Sequence, residues 1–209
     1  ESWPAVLLSG AQLQGSKPYL LAYLASNCLP HRERFFRVMR QLAKARHLGR
    51  VDALGRCVGD WEVPDRVVRA SRDEPDEWAG PDEDASSRFA EWYMDAAVEM
   101  YTPYKFALVF ESYDLPGYVT EKIVNAYLAG AVPVYWGTRR VKDIFNPESF
   151  LFAQDFASDE ALAEEVLRLA SDVAAYRRLR AAAPLESRGG GGSGAEIFSW
   201  HRSLKGPLR

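Results

Sequence analysis

The chain has 209 residues, of which 47% are hydrophobic and 26% charged, and its 26 basic and 29 acidic side chains leave a formal net charge of −3. These values are typical of a globular protein and exclude a chain that is disordered throughout, a collagen-like rod and a coiled coil. The near-neutral charge favours no nucleic-acid partner. No apolar run approaches the roughly 20 residues that a membrane span needs. We therefore expect a folded domain with a core of its own.

Apolar runs alternate with amphipathic segments, which predicts strands alternating with helices. The strand candidates are apolar along their whole length, as is typical of parallel strands covered on both faces. We expect strands at Tyr19–Ala25, Val51–Leu54, Phe106–Phe110, Val132–Trp136 and Phe150–Phe152. We expect helices at Arg32–Arg46, Arg88–Tyr101, Thr120–Ala129, Arg139–Phe145, Asp159–Ala170 and Asp172–Ala183. The fold class that follows is α/β, with a parallel sheet between two layers of helices.

Two polar segments interrupt this pattern. The stretch from about Gly59 to Arg88 is rich in acids, proline and glycine, which predicts a solvated surface loop. The run Gly189–Gly194 predicts a flexible linker, and it is no phosphate loop because no Gly-Lys-Ser/Thr closes it. The chain therefore divides into an α/β domain, residues 1–185, and a linker with a tail, residues 186–209.

Ligands of parallel α/β sheets bind beyond the carboxyl ends of the strands. There the segment from Glu111 to Lys122 runs from a strand through a Pro-Gly loop into a helix start. Free backbone N–H groups at a helix start attract anions, and Lys122 adds a positive charge, so a diphosphate would be held there. Glu121 could bind sugar hydroxyls or stabilise a developing cation. The ordinary alternative, which the pattern alone favours, is that Glu121 complements the helix dipole and Lys122 is solvated.

Further polar residues belong to the same edge of the predicted sheet. Arg32 offers a phosphate its bidentate fork, or is solvated beside Glu33. Glu111 either satisfies backbone donors of its own loop or contacts ligand hydroxyls. Asn27 and Ser112 either contact a base or ribose, or cap turns.

The cysteines and histidines form no recognisable catalytic or metal motif. Cys28 and Cys57 have neither zinc-site nor CxxC spacing, and they remain either two buried thiols or one disulfide. His31, His47 and His201 do not cluster by spacing, so no metal ligand set is predicted. The motifs GxSxG and HExxH do not occur, and the one run that fits GxGxxG, Gly189–Gly194, follows no predicted strand.

A set of linked motifs runs from about Lys17 to Phe156. They are Ala25–Cys28, Arg32–Arg34, Val51–Cys57, Tyr104–Ser112, Tyr118–Lys122, Ala129–Gly137 and Phe145–Phe150. In order and spacing they resemble the α1,3/α1,4-fucosyltransferases of glycosyltransferase family ten, in the C-terminal, donor-binding domain. The resemblance implies a GT-B enzyme, in which two Rossmann-like domains face each other across a cleft. This chain would be the C-terminal half.

The resemblance implies inverting transfer of fucose from GDP-fucose to a hydroxyl of a glycan or glycoprotein, of the α1,3 type. Carried over by position, Arg32 and Lys122 would hold the diphosphate, and Tyr118 would contact the donor nucleotide. Glu121 would be the catalytic residue that binds the fucose and stabilises its positive charge.

The rest of the implied donor site comprises Asn27, Glu111 and Ser112, and Ser112 stands where the family usually has asparagine. Because a serine has no amide, one contact to the donor is expected to differ. No cofactor is required if the cationic side chains neutralise the diphosphate, and a divalent cation stays an alternative for which the sequence shows no ligand set. The general base is expected from the N-terminal acceptor half, outside this chain.

Family members work in the Golgi lumen as type II membrane proteins, so the resemblance also implies an anchor that precedes Glu1 in a longer chain. An oxidising lumen would make Cys28 and Cys57 competent for a disulfide. Each follows a predicted strand at the same edge of the sheet, and we expect them close enough to bridge.

Two functions remain as alternatives to fucose transfer. One is a GT-B enzyme that uses another nucleotide sugar, and the other is a nucleotide-sugar-binding fragment without activity of its own.

Overall fold

Five parallel strands form the centre of the molecule, for which a computed structural model describes residues 17–57 and 96–185. The spatial order is β2-β1-β3-β4-β5, and every neighbouring pair is parallel. The predicted parallel sheet is thus confirmed, with each strand within two residues of its expected bounds. The strands are β1 (Tyr19–Tyr23), β2 (Val51–Ala53), β3 (Tyr104–Phe110), β4 (Val132–Trp136) and β5 (Leu151–Phe152).

Helices follow the strands as the alternation predicted. Residues 96–101 are helical and precede β3, and two 3₁₀ turns, Pro147–Ser149 and Ala153–Asp155, flank β5. Ser158 and Asp172 cap the last two helices with their side chains, as short polar residues at helix starts do. The α-helices are α1 (Pro30–Arg46), α2 (Glu121–Leu128), α3 (Val141–Ile144), α4 (Asp159–Ser171) and α5 (Val173–Ala181).

Two hydrophobic cores lie on the two faces of the sheet, because successive strand residues point in opposite directions. In β1, Leu21 belongs to the core formed with α1, α4 and α5, whereas Ala22 belongs to the core formed with α2. In β4, Val134 and Tyr135 divide in the same way. Helices therefore cover both faces, as expected.

Strands β1 and β3 are direct neighbours, with Tyr23 paired to Leu108. The chain leaves β1 towards α1 and leaves β3 towards α2 at the same edge of the sheet. This adjacency brings the segment around Arg32 next to the residues that end and follow β3, which Arg32 contacts at Phe110 and Ser112.

Several expectations lie outside the described residues. They are the acidic loop from Gly59 to Arg88, the first part of the helix Arg88–Tyr101, the linker Gly189–Gly194 and the tail, residues 186–209. Among the helices that the structure describes, none combines the length and the apolar character required to cross a membrane.

Candidate functional site

Glu111 organises the carboxyl end of β3. Its side chain is 0% exposed, and its backbone N–H donates to the carbonyl of Trp136 in β4 at 2.8 Å. Its carboxylate accepts hydrogen bonds from the backbone N–H of Thr120 at 2.7 Å, from the Thr120 hydroxyl at 2.8 Å and from Lys122 Nζ at 3.3 Å. Of the two roles considered for Glu111, the structure shows the first, in which it satisfies donors of its own loop.

The start of α2 carries the positive charge that the sequence singled out. Thr120 occupies the expected N-cap position, but its hydroxyl does not cap the helix because it bonds Glu111 instead. Lys122 Nζ donates to Thr120 Oγ1 at 2.8 Å and lies 3.8 Å from a carboxylate oxygen of Glu121. The Lys122 side chain is 26% exposed, but its ammonium group is hydrogen-bonded to protein oxygens, so the lysine is not purely solvated as the alternative held. One ammonium group therefore serves two carboxylates at a helix N-terminus.

Arg32 is a buried arginine, 2% exposed, in the first turn of α1. Its Nε–H donates to the carbonyl of Phe110 at 2.9 Å, Nη1 donates to the carbonyl of Asn27 at 3.0 Å, and Nη2 donates to Ser112 Oγ at 3.2 Å. The solvated alternative is therefore wrong for Arg32 as well. The guanidinium joins the segments that follow β1 and β3.

His31 lies at the same edge, although the sequence pointed to it only in passing. Its ring packs on Trp136 with centroids 4.1 Å apart and stacks near Phe110, and its Nε2–H donates to the carbonyl of Glu111 at 2.9 Å. Burial, reinforced by the nearby charges of Arg32 and Arg34, lowers the pKa of His31 against the opposing effects of the Glu111 hydrogen bond and Asp159. These surroundings favour the neutral form of the imidazole.

Tyr118 ends the loop between β3 and α2. Its ring meets that of Tyr113 edge-on, with centroids 6.0 Å apart, and its N–H donates to the carbonyl of Leu115 at 3.0 Å. Gly117 turns the chain here with a φ of +82°. Tyr113 and Leu115 are exposed, so the loop presents aromatic and aliphatic surface at the edge that carries the two cations.

Gln154 and Gly137 belong to this edge and were not among the predicted site residues. Gln154 Nε2 donates to the carbonyl of Gly137 at 2.7 Å and to a carboxylate oxygen of Asp114 at 3.3 Å. Nothing in the local sequence indicates the role of Gln154, because the 3₁₀ turn after β5 is what brings it here.

Cys28 and Cys57 form a disulfide, with Cα atoms 5.1 Å apart. The expected closeness is confirmed, and the alternative of two buried thiols is wrong. The bridge joins the segment after β1 to the segment after β2, next to Asn27, whose carbonyl binds Arg32. The side chain of Asn27 itself is exposed. Glu33 lies near both sulfurs, and this is the one group of possible metal ligands within residues 17–57 and 96–185, but the sulfurs are bonded to each other.

The structure thus brings most of the predicted residues to one place. Arg32 and Lys122 both contact the stretch from Phe110 to Ser112, and Glu121 lies beside Lys122. Tyr118 and Asn27 lie in the loops next to them. The arrangement offers positive charge, a helix N-terminus and carboxylates, which suits an anionic ligand that carries hydroxyl groups.

Residues 14–180 match the family model described as glycosyltransferase family 10 (fucosyltransferase), C-terminal. The chain belongs to this family. An α-(1,4)-fucosyltransferase of Arabidopsis thaliana is 30% identical over 166 residues, which are 78% of this chain and 37% of the relative. An α-(1,3)-fucosyltransferase of Helicobacter pylori is 48% identical over 65 residues, which are 31% of this chain and 14% of the relative.

Solved structures agree with the family 10 assignment at the level of the fold. A crystal structure of an α1,3-fucosyltransferase with GDP-fucose superposes with a TM-score of 0.60 at 24% identity, over 90% of this chain and 47% of that one. The expected fold, an α/β half of a GT-B glycosyltransferase, is confirmed. This family 10 chain spans less than half the length of these relatives.

Proposed function

We propose that this chain is the donor-binding domain of a fucosyltransferase, which binds GDP-fucose at the carboxyl edge of the sheet and takes part in fucose transfer to a glycan hydroxyl. The α1,3 linkage and a glycoprotein acceptor are part of the proposal. Support comes from membership of family 10 and from the name of the structural neighbour, an α1,3-fucosyltransferase crystallised with GDP-fucose.

The observation that carries the proposal is the position of Lys122. Its side chain is partly exposed and lies in the first turn of α2, where a helix has backbone N–H groups without partners inside the helix. A diphosphate drawn to this end of the helix meets a full positive charge and the helix dipole together. Arg32 adds positive charge from α1 and holds Ser112 in place by a hydrogen bond. Its main contribution to donor binding is therefore to position the loop after β3.

Transfer proceeds in a single displacement that inverts the anomeric configuration. The acceptor hydroxyl oxygen bonds to the anomeric carbon of fucose while the bond from that carbon to the β-phosphate oxygen breaks. GDP leaves with the electron pair, and the hydroxyl proton passes to a base, which the family resemblance assigns to the N-terminal half. Lys122 stabilises the negative charge that develops on the leaving diphosphate, which is electrostatic catalysis.

Glu121 is the residue that we assign to the sugar. Its partly exposed carboxylate lies 3.8 Å from Lys122 Nζ, so it borders the position proposed for the β-phosphate. A carboxylate there stabilises the positive charge that develops at the anomeric carbon as the diphosphate departs. Tyr118 contacts the nucleotide, since its ring stands with Tyr113 at the lip of the same edge.

Two further points belong to the proposal. The reaction requires no metal cofactor, because Lys122 and the helix N-terminus neutralise the diphosphate, and transfer is expected to persist in EDTA. The protein works in an oxidising compartment, the Golgi lumen, held there by a membrane anchor of a longer chain. The Cys28–Cys57 disulfide supports an oxidising environment.

Calorimetry with a panel of nucleotides and nucleotide sugars tests the identity of the donor. GDP-fucose and GDP should bind, whereas UDP-sugars should not, and GDP-mannose should bind no better than GDP. Lys122→Met removes a charge-assisted contact that contributes ~1.5–3 kcal/mol, so GDP should bind at least about ten-fold more weakly. Glu121→Gln should leave GDP binding intact and abolish the difference between GDP-fucose and GDP.

Lys44→Met is the matched control, because Lys44 is exposed at the far end of α1 and its loss changes the net charge equally. Its affinity for GDP should equal that of the wild type. Equal GDP affinity in the Lys122 and Lys44 variants would sink the diphosphate assignment. Preference for a UDP-sugar would support the alternative that the chain belongs to a GT-B enzyme with another nucleotide-sugar donor.

A further inference from the structure

Tyr135 carries a buried hydroxyl group that is left without a hydrogen-bond partner in the described part of the chain. The residue lies in β4 and is 0% exposed. A buried hydroxyl normally finds a partner, so each exception requires a physical explanation. Burial, together with the charges of Glu111, Asp114 and Tyr118, raises the pKa of Tyr135 well above its usual range. The phenol therefore keeps its proton and has a hydrogen bond to donate.

The hydroxyl and the side chain of Glu111 both approach Gly137. A Cβ atom added to Gly137 would lie 2.7 Å from Tyr135 Oη and 3.0 Å from Glu111 Cγ. Both side chains thus border the same point, which only a glycine leaves open.

Lys122 is the cation that compensates the negative charge of Glu111. The carboxylate is 0% exposed, and Lys122 Nζ lies 3.3 Å from its Oε2 atom. A buried carboxylate that loses its cation is strongly destabilised unless another donor replaces it. Lys122 keeps 26% of its side chain exposed, so it is the partner that is free to turn towards an anion outside.

We propose that Tyr135 is a positioning residue whose hydroxyl becomes the hydrogen-bond donor to Glu111 when Lys122 turns to the diphosphate of the donor. The proposal rests on the proposed function only for the event that draws Lys122 away. With the tyrosine in place, Glu111 keeps its bond to the Thr120 N–H, and the N-terminus of α2 stays aligned while the ligand is bound.

A double-mutant cycle in the ligand-free protein tests this exchange. Thermal melting would compare the wild type, Tyr135→Phe, Lys122→Met and the double variant. Tyr135→Phe should leave the melting temperature unchanged or raise it in the wild-type background, because the hydroxyl has no partner there. It should lower the melting temperature in the Lys122→Met background, where the hydroxyl has become the donor to Glu111. Equal effects in both backgrounds would overturn the proposal.

Tyr127→Phe is the matched control, since Tyr127 is buried on the same face of the sheet and its hydroxyl already has a partner, Ser149 Oγ, at 2.7 Å. It should lower the melting temperature by the same amount in both backgrounds. If Lys122→Met does not fold, Lys122→Gln takes its place in the cycle.

A second test measures the affinity for GDP by titration. Tyr135→Phe should weaken GDP binding about ten-fold, the effect of losing a hydrogen bond to a charged group, and should change it little when Lys122 is already replaced. Unchanged GDP affinity in Tyr135→Phe would overturn the proposal. If the wild type binds no GDP, the proposed function fails, and the melting cycle alone still decides whether Tyr135 replaces Lys122.

Discussion

The Nε–H of Arg32 donates to the backbone carbonyl of Phe110 at 2.9 Å, which ties the first turn of α1 to the last residue of β3. The same guanidinium also donates to Asn27 and Ser112, so one planar group binds three residues from the two segments that follow β1 and β3. Lysine offers a single ammonium group and cannot reproduce this fork. Arginine is required here for its shape as well as its charge.

Arg32→Lys should therefore destabilise the protein by ~1.5–3 kcal/mol, because buried acceptors lose a charged donor. Urea denaturation measures this, and GDP binding should weaken in parallel. Arg34→Lys is the control, since Arg34 forms an exposed ion pair with Asp159 at 2.5 Å and such pairs contribute ~1 kcal/mol or less. Equal losses in the two variants would contradict a special role for Arg32.

Gly137→Ala should disturb both stability and the site. The residue has a φ of +153°, and the new Cβ would lie within 3.0 Å of Tyr135 and Glu111 atoms. Backbone strain and overpacking together should lower the free energy of unfolding by about 2–4 kcal/mol. Gly117→Ala isolates the strain, because its φ is +82° and nothing lies within 4 Å of the new Cβ, so about 1 kcal/mol is expected. A smaller loss at Gly137 than at Gly117 would contradict the close packing.

Reduction of the Cys28–Cys57 disulfide should lower stability by about 2–4 kcal/mol, since the bridge closes a loop with a sequence separation of 29. For a chain of this size the melting temperature should fall by roughly 5–15 °C. Differential scanning fluorimetry with and without reductant measures the shift, and thiol titration verifies that the bond has opened. The variant Cys28→Ser with Cys57→Ala should melt at one temperature in both conditions. An unchanged melting temperature after verified reduction would show that the bridge contributes nothing.

His31 should make the protein less stable in mild acid. Because the pKa of His31 is lowered from 6.5 in the folded chain, the unfolded chain binds the proton first as the pH falls. Stability from this residue is therefore complete above pH 6.5 and declines as the pH drops from there towards the folded pKa. His31→Gln keeps an N–H donor for the Glu111 carbonyl and should flatten this decline. Identical pH profiles of the unfolding free energy would argue against a neutral, buried imidazole.

The strands were predictable because parallel strands buried on both faces are continuous apolar runs, as in Val132–Trp136. Strand β3 begins two residues earlier than its apolar run indicates, at Tyr104. The hydroxyl of this tyrosine donates to Asp52 on β2, two strands away, at 2.6 Å. That contact depends on the order of strands in the sheet, which no local pattern contains.

The chemistry of the site was only partly predictable for the same reason. Local spacing identified Lys122 at a helix start, but it favoured solvated side chains for both Lys122 and Arg32. Burial of Arg32 depends on β1 and β3 being neighbours, so that Asn27 and Ser112 converge on one guanidinium. The hydroxyl of Thr120 bonds Glu111 instead of capping α2 because the buried carboxylate lies within its reach.

Within residues 17–57 and 96–185, the outermost strands of the sheet are its shortest, since β2 has three residues and β5 has two, whereas β3 near the centre has seven. An edge of two or three residues offers very few unpaired backbone groups on which another chain could add a strand. The tapering of the described sheet thus limits aggregation through its edges.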